Sequence, residues 1–389
     1  MLSDSKLTDY AYIVSARFEA INTHYIKLMA EQIKEIGTLS PSNLFRLQQM
    51  SKMQQNIDSI EYLLSQESGR TLDELDKVLE LSGLSVYKDA YDLYAAHNRI
   101  QIPLKQNQNM MNYIRSVQSL THNTFMNMSN TTVIFEPYRN LVDVAIDAVT
   151  NGIDSYNTII RKQLTDSTLQ PNMRYADEGL KVTYASGLTR RLDSAVRMNV
   201  LEGVRQVNNG IREKTGEEFG ADGVEVSAHA LCARDHIDIQ GKQFSKKEFE
   251  MRNEELRRHI STCNCKHYTF PIILGVSKPS HTDKELKQYK DNSEKPVNIN
   301  GKEMTKYQAT QAQRNMETAI RKEKDKYIFA DTMGDTESAS AIKENIKQLQ
   351  LQYNSISQQA GLSPKMDRTY VPGYTGTHQV QPKSVKLST

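Results

Sequence analysis

From Leu7 onward, apolar residues return at a helical beat: Leu7, Ala11, Val14, Phe18, Ile21, Tyr25 and Leu28 fall at an average spacing of 3.5. A strand needs a period of two, so this recurrence dictates a long helix to about Ile36, with one apolar seam that must meet other helices. Gly37 stops it, and Ser40-Pro41 supplies an N-cap and a first-turn Pro for the next helix. That second helix carries Leu44, Leu47, Met50, Met53 and Ile57 and is expected to end near Gly69. Thr71-Leu72-Asp73-Glu74 reads as a capping box that opens a third helix, with Gly83 ending it. Further helical patterns cover residues 85–100, 107–128 and 137–164, making residues 1–165 an all-helical region rich in Gln, Asn and Met.

Hydrophobic content of 38% with mean hydropathy −0.62 is low for a compact enzyme and fits an elongated helical protein that exposes much surface. The longest apolar run, Phe270 to Val276, is broken by Pro271 and Gly275 and falls far short of the roughly 20 residues that span a bilayer. No membrane segment is expected, nor a signal-peptide core after Met1; the expected place of synthesis is a cytoplasm. Three cysteines do not make a disulfide framework and point to a reducing compartment. A formal net charge of +2 does not announce a nucleic-acid binder, so local stripes matter more.

Gln170-Pro171-Asn172 marks a boundary, after which residues 177–212 read as one amphipathic helix or two closely joined ones. Arg190, Arg197, Arg205 and Arg212, spaced seven, eight and seven, form one longitudinal stripe. The stripe is either a row of phosphate contacts, or a clamp on an acidic partner, or a solvated face balanced by Asp193 and Glu202. Beyond Gly223, Val224-Glu225-Val226 alternates like a short strand. A loop over 232–241, a polar helix over 245–258 and a second strand over 265–273 complete a small α+β unit. Residues 278–295 read as a linker. Asn300-Gly301 signals a hairpin, because Asn-Gly accepts the positive φ angles of a type I′ turn. Helices over 305–328 and 339–357 follow, then a Pro-containing tail over 364–389 that is expected to stay extended and flexible.

All three cysteines and five of the nine histidines fall between Val224 and His281, so any chemistry is concentrated there. On a strand, residues two apart face the same way, which would bring Cys263, Cys265 and His267 together, joined by His229 or His236 from the preceding loop. Thiolate and imidazole donors converging in this way suit a structural tetrahedral zinc ion. Two other readings stay open: buried small cysteines beside hydrogen-bonded histidines, or a Cys-His nucleophile, for which no local signature accompanies the residues. Gln240-Gly241 reads as structural, with Gly in a tight turn and Gln bonded to loop backbone. Phosphate-loop and dinucleotide fingerprints are absent.

The ordered set Arg190-Arg191-Leu192-Asp193, Glu225-Val226-Ser227-Ala228-His229, Arg234-x-His236 and Gln240-Gly241-Lys242 continues with Asn264-Cys265-Lys266-His267, Pro271, Gly275 and Tyr307-Gln308-Ala309-Thr310-Gln311. In order and spacing it resembles the phage minor capsid protein family of tailed phages, related to the Mu F-like minor head proteins, over about half of the chain. Two departures bear on the site: Cys232 stands where the family has a small residue, and Lys266 where it has Arg. If the cluster holds a metal, the favoured ligand set is therefore His229, His236, Cys265 and His267, with Cys263 in reserve and structural zinc as the candidate ion; no other cofactor is expected.

The resemblance implies a structural, non-enzymatic virion protein, present in few copies. It would join the head during assembly in the host bacterial cytoplasm and sit in the capsid interior or at the portal vertex. Its expected partners are the portal protein and other capsid components, met through the seam of Leu7, Val14, Phe18, Ile21, Tyr25 and Leu28. The alternatives are a non-specific internal binder of packaged double-stranded DNA ejected with the genome, using the Arg stripe, or an injected effector enzyme. The expected fold is mainly α with a small α+β module. It divides into a helical region over 1–165 for docking, a Mu F-like module over 166–290, a hairpin with C-terminal helices over 291–363, and the tail.

Overall fold

The structure, a computed structural model, describes residues 4–39, 44–96, 98–151, 156–165, 179–262, 265–377 and 379–381. The expected Ser40-Pro41 cap, the boundary at Gln170-Pro171-Asn172 and the reserve ligand Cys263 lie outside the described residues. The fold is mainly α with a small α+β module, as the periodicities dictate.

The first seam forms α1, Asp4–Ile36. Beyond it runs α2, Phe45–Asp89, a single 45-residue helix of about 66 Å at 1.5 Å per residue, where the sequence suggests two helices. Its continuity has a tertiary cause. Thr71 and Glu74 do not form a capping box: Arg17 of α1 reaches across to Glu74 at 2.8 Å and to Glu67 at 2.7 Å. Thr71 is fully buried beneath that pairing. Gly83 does not end the helix either. A Cβ there would stand 2.9 Å from Ile211, 3.0 Å from Ile114 and 3.1 Å from Val207, so the glycine permits a close helix crossing.

Short α3 (Tyr91–Ala96) leads to α4 (Gln108–Asn130), whose N-cap Asn107 accepts from the Met110 N–H. The strand β1 (Thr132–Val133), then α5 (Phe135–Asn151) and α6 (Tyr156–Thr165) follow. Residues 181–191 are not helical: β2 (Lys181–Thr183) pairs antiparallel with β1 and with β3 (Thr189–Arg191). Only then does α7 (Leu192–Glu218) begin.

The α+β module is a sheet in the order β5-β4-β6, with β4 (Gly223–Val226) between β5 (Gln243–Ser245) and β6 (Thr269–Ile272). Helix α8 (Lys246–Glu254) starts at the Ser245 cap. The expected linker contains α9 (Asp283–Glu294), opened by a capping box of Thr282 and Glu285. The hairpin of β7 (Pro296–Ile299) and β8 (Lys302–Thr305) turns at Asn300-Gly301 as its sequence demands. Helices α10 (Lys306–Met333) and α11 (Thr336–Gln359) then pack on each other.

One large core joins α1, α2, α4, α5, α7, α10 and α11, so residue 165 does not separate two cores. The tail also enters it. Val371 is fully buried, Thr23 Oγ1 donates to the Pro372 carbonyl at 2.9 Å, and Lys324 Nζ donates to the Thr369 carbonyl at 2.6 Å. The expectation of a free tail from 364 therefore fails through residue 377, because Val371 and Tyr374 supply apolar anchors. A smaller cluster of Val226, Ile239, Phe244 and Ile260 forms the centre of the α+β module.

Candidate metal centre

Three loops converge at one edge of the module. The first leaves β4 and carries His229, and is held by the Leu231 N–H donating to Ser293 Oγ of α9 at 3.0 Å. The second is a short helical turn over Arg234–His236 that delivers His236, which is 2% exposed. The third carries Cys265 and His267 just before β6, in irregular backbone rather than on the expected strand. Ser261 Oγ donates to the His267 carbonyl at 3.1 Å, and the Cys265 N–H donates to the Thr262 carbonyl at 2.8 Å, which fixes this turn. Leu231 and Ser261 both hold positive φ angles, 62° and 60°, a backbone cost concentrated beside the cluster.

The ligand atoms of His236, Cys265 and His267 lie within 4.8 Å of one another. Cys265 Sγ stands 3.4 Å from His267 Nδ1 and 3.9 Å from His236 Nδ1. The opposite nitrogens are engaged. His236 Nε2 meets the Arg258 carbonyl at 2.7 Å, and a carbonyl only accepts, so Nε2 carries the proton. His267 Nε2 meets Gln240 Oε1 at 3.2 Å. That amide is oriented in turn by the His229 backbone N–H, which donates to the same oxygen at 3.1 Å. The Gln240-Gly241 turn thus serves as the sequence suggests, and Gly241 sits at φ +68° where a Cβ would strike Leu286 at 2.2 Å.

The fourth expected ligand, His229, is close but not within the group. Its ring stacks on His267 at 4.3 Å between centroids, and its Nδ1 donates to the Ala230 carbonyl at 2.9 Å. Its Nε2 is buried with no hydrogen-bond partner. Cys232 is buried elsewhere, its thiol pushed up to about 11 by desolvation, which fits its exclusion from the set.

Electrostatics at the cluster oppose positive charge on two rings. Desolvation, then the neighbouring imidazoles of His229 and His236, hold His267 down to about 3, so it is a neutral donor of its lone pair. His229 is lowered, chiefly by desolvation. Desolvation works against ionisation of Cys265, but hydrogen bonds from His236 and from backbone outweigh it and lower the thiol. Such a site offers one soft sulfur and neutral imidazoles in an enclosed space.

The other expected contacts come out differently. Arg190 lies on β3 and is exposed, off the helix that carries the rest of the stripe. Arg197 stacks over Tyr12 at 5.0 Å, Arg205 pairs with Glu202 at 3.1 Å, and Arg212 lies over Tyr268 and Phe270 at 5.3 and 5.2 Å. Three of the four are therefore engaged within the chain. The α1 seam is also used internally: Val14, Phe18, Ile21 and Tyr25 are buried in the core and Leu28 packs against it, while the Leu7 side chain lies outside the described ones. The reason is that α2, α5, α7 and α10 all close over α1.

Sequence reasoning overlooked a charge assembly buried in the core. Arg191 and Arg321 meet Glu19, Asp193 and Asp325 in the core between α1, α7 and α10, with Asp325 fully buried. The signal in the sequence is Arg191-Leu192-Asp193, which is masked by the neighbouring Arg190 because that residue fits the spacing of a surface stripe.

No helix among the described residues is long and apolar enough to cross a membrane. No curated protein and no solved structure matches the chain. A family model described as phage minor capsid protein 2 matches residues 2–356, nearly its whole length. The helical frame, the compact Cys/His module and this match lead to one conclusion: the chain belongs to the phage minor capsid protein 2 family, whose members are structural capsid components of bacteriophages.

Proposed function

We propose that this capsid component enters the phage head in few copies during assembly and docks on the portal or the adjoining inner shell. The observation that carries the reading is the distribution of exposed apolar side chains along α2. At its start, the N-cap Leu44 and Leu47 are 59% and 68% exposed; Tyr62 midway is 64% exposed, and beyond its far end stand Tyr91 on α3 at 61% and Ile100 in the following loop at 89%. A helix of about 66 Å with exposed apolar groups at its start, midway and just past its end suits a strut that bridges two protein surfaces. Since the α1 seam is consumed by the chain's own core, docking falls to these groups. The test is co-expression with the portal protein of the same phage and purification through a tag on the portal. A stable complex is expected; two proteins that elute separately at micromolar concentration contradict the reading.

A DNA-contacting role has a separate observation in its favour. Desolvation and the charges of Arg314, Lys365 and Arg368 push the Lys266 ammonium down, which marks a concentration of cations beside the module. Arg197 also bears on Arg314. On this reading the chain binds double-stranded DNA without sequence preference at low salt and releases it steeply as salt rises. Absence of binding at low ionic strength removes it.

A further inference from the structure

We propose that the module holds a zinc ion through His236 Nδ1, Cys265 Sγ and His267 Nδ1, with His229 Nε2 as the fourth ligand. This inference is independent of where the protein docks in the head.

The geometry begins with hydrogen-bond direction. Both Nε2 atoms of His236 and His267 donate to oxygens that only accept, so both Nδ1 atoms present lone pairs toward one sulfur. A thiol has one proton and can satisfy one of them. A cation satisfies both and takes the thiolate as well. In a tetrahedral site with Zn–S near 2.3 Å and Zn–N near 2.0 Å, sulfur and nitrogen stand about 3.5 Å apart. The two separations here, 3.4 and 3.9 Å, bracket that value.

The outer contacts are also those of a metal site. An imidazole ligand is ordinarily oriented by donating its other N–H to a carbonyl or carboxylate, which fixes the tautomer and raises basicity. The Arg258 carbonyl does this for His236 and the Gln240 amide oxygen for His267. Gln240 is itself held by the His229 N–H, so one side chain couples two of the ligand-bearing loops.

His229 completes the set by elimination of its other uses. Its Nδ1 donates to the Ala230 carbonyl, which leaves Nε2 as an acceptor, and that atom is buried without a partner. Closing the tetrahedron takes a turn of this ring toward the sulfur. One thiolate with three neutral imidazoles favours zinc over magnesium or calcium, which need oxygen ligands. The module's own apolar cluster is small, so a bound ion would add materially to its stability.

The test uses the full chain, purified after expression with added zinc and dialysed against metal-free buffer. Elemental analysis is expected to find about one zinc per chain, and cobalt(II) in its place to give a thiolate-to-metal charge-transfer band with tetrahedral d–d absorption. Cys265→Ser is expected to abolish the band and Cys232→Ser to keep it; His229→Ala is expected to weaken cobalt affinity by at least tenfold, the lower end for loss of a site's supporting group. Should Cys265→Ser fail to fold, chelation of the wild-type chain serves instead, with a fall in Tm that added zinc restores. A wild-type chain that retains no zinc and gains no stability from it overturns the proposal, as does a cobalt spectrum unchanged in a folded Cys265→Ser protein.

Discussion

Arg191 Nη2 lies 2.5 Å from Glu19 Oε1, joining the end of β3 to the middle of α1 across 172 positions of sequence. The same guanidinium reaches Asp193 and Asp325, while Arg321 returns from α10 to Glu19 and Asp193. Two guanidinium groups thus hold three carboxylates where the three helices meet. Removing one cation leaves buried carboxylates without compensation. Arg191→Met is therefore expected to destabilise the fold by roughly 3–5 kcal/mol, and Arg191→Lys to recover only part of this because it lacks the planar fork. Urea unfolding monitored by circular dichroism measures both, and a midpoint unchanged in Arg191→Met contradicts the assignment.

The network also sets a pH dependence. Burial raises Glu19 from its ordinary 4.5 to about 7; Arg191 and Arg321 pull it down, while Asp193 and Asp325 push it back up. Between those values the native chain binds more protons than the unfolded one, so this contribution is fully present below pH 4.5 and lost as pH rises through 7. Asp193 acts in the opposite sense. Burial disfavours its charge, but Arg321 and Arg191 win and lower it, so its contribution is lost as pH falls below its ordinary 3.8. Thermal unfolding between pH 5 and 8 is expected to show a falling Tm that Glu19→Gln flattens; parallel curves for the two proteins would exclude Glu19 as the cause.

Two glycines of α2 should respond in opposite directions. At Gly69 an added Cβ would meet nothing within 4 Å, so Gly69→Ala gains helix propensity and is expected to stabilise by about 0.5–1 kcal/mol. Gly83 is enclosed by Ile211, Ile114 and Val207, and Gly83→Val is expected to destabilise by roughly 1–3 kcal/mol through overpacking. Equal shifts in the two unfolding midpoints contradict the close crossing of α2 with α4 and α7.

Docking of the tail is tested at Val371, which is fully buried against the main core. Val371→Asp places a charge in that site and is expected to lower stability by roughly 2–4 kcal/mol. It should also expose the chain after residue 364 to limited proteolysis. Wild-type resistance in the variant contradicts the docking.

What the sequence discloses and what it hides divide along the range of the forces involved. Helix α1, the Asn300-Gly301 hairpin and the strand Val224-Glu225-Val226 follow from local periodicity and turn chemistry, and they form as read. The continuity of α2 does not follow from local rules, since Thr71 and Glu74 are claimed by Arg17 from another helix and Gly83 by a crossing. Helix α9 escaped because its apolar content is slight, although Thr282 and Glu285 carry a capping signature. At the site, His236, Cys265 and His267 are legible in the sequence as residue types able to hold a metal, and the structure brings their ligand atoms within 4.8 Å of one another. The strand whose period implies their convergence does not extend that far, and the Gln240 and Arg258 contacts that orient the rings depend on chain folding no spacing encodes.

Docking through the exposed apolar groups that flank α2 is tested by incorporation into phage heads of a Leu44→Glu, Leu47→Glu double variant. Both side chains are largely exposed, so the variant is expected to fold with a Tm within a few degrees of the wild type. Heads assembled with each protein are purified and the chain is quantified by mass spectrometry against the portal protein. The wild-type chain is expected in the heads and the double variant is expected to be lost from them. A folded double variant recovered at the wild-type ratio would contradict it.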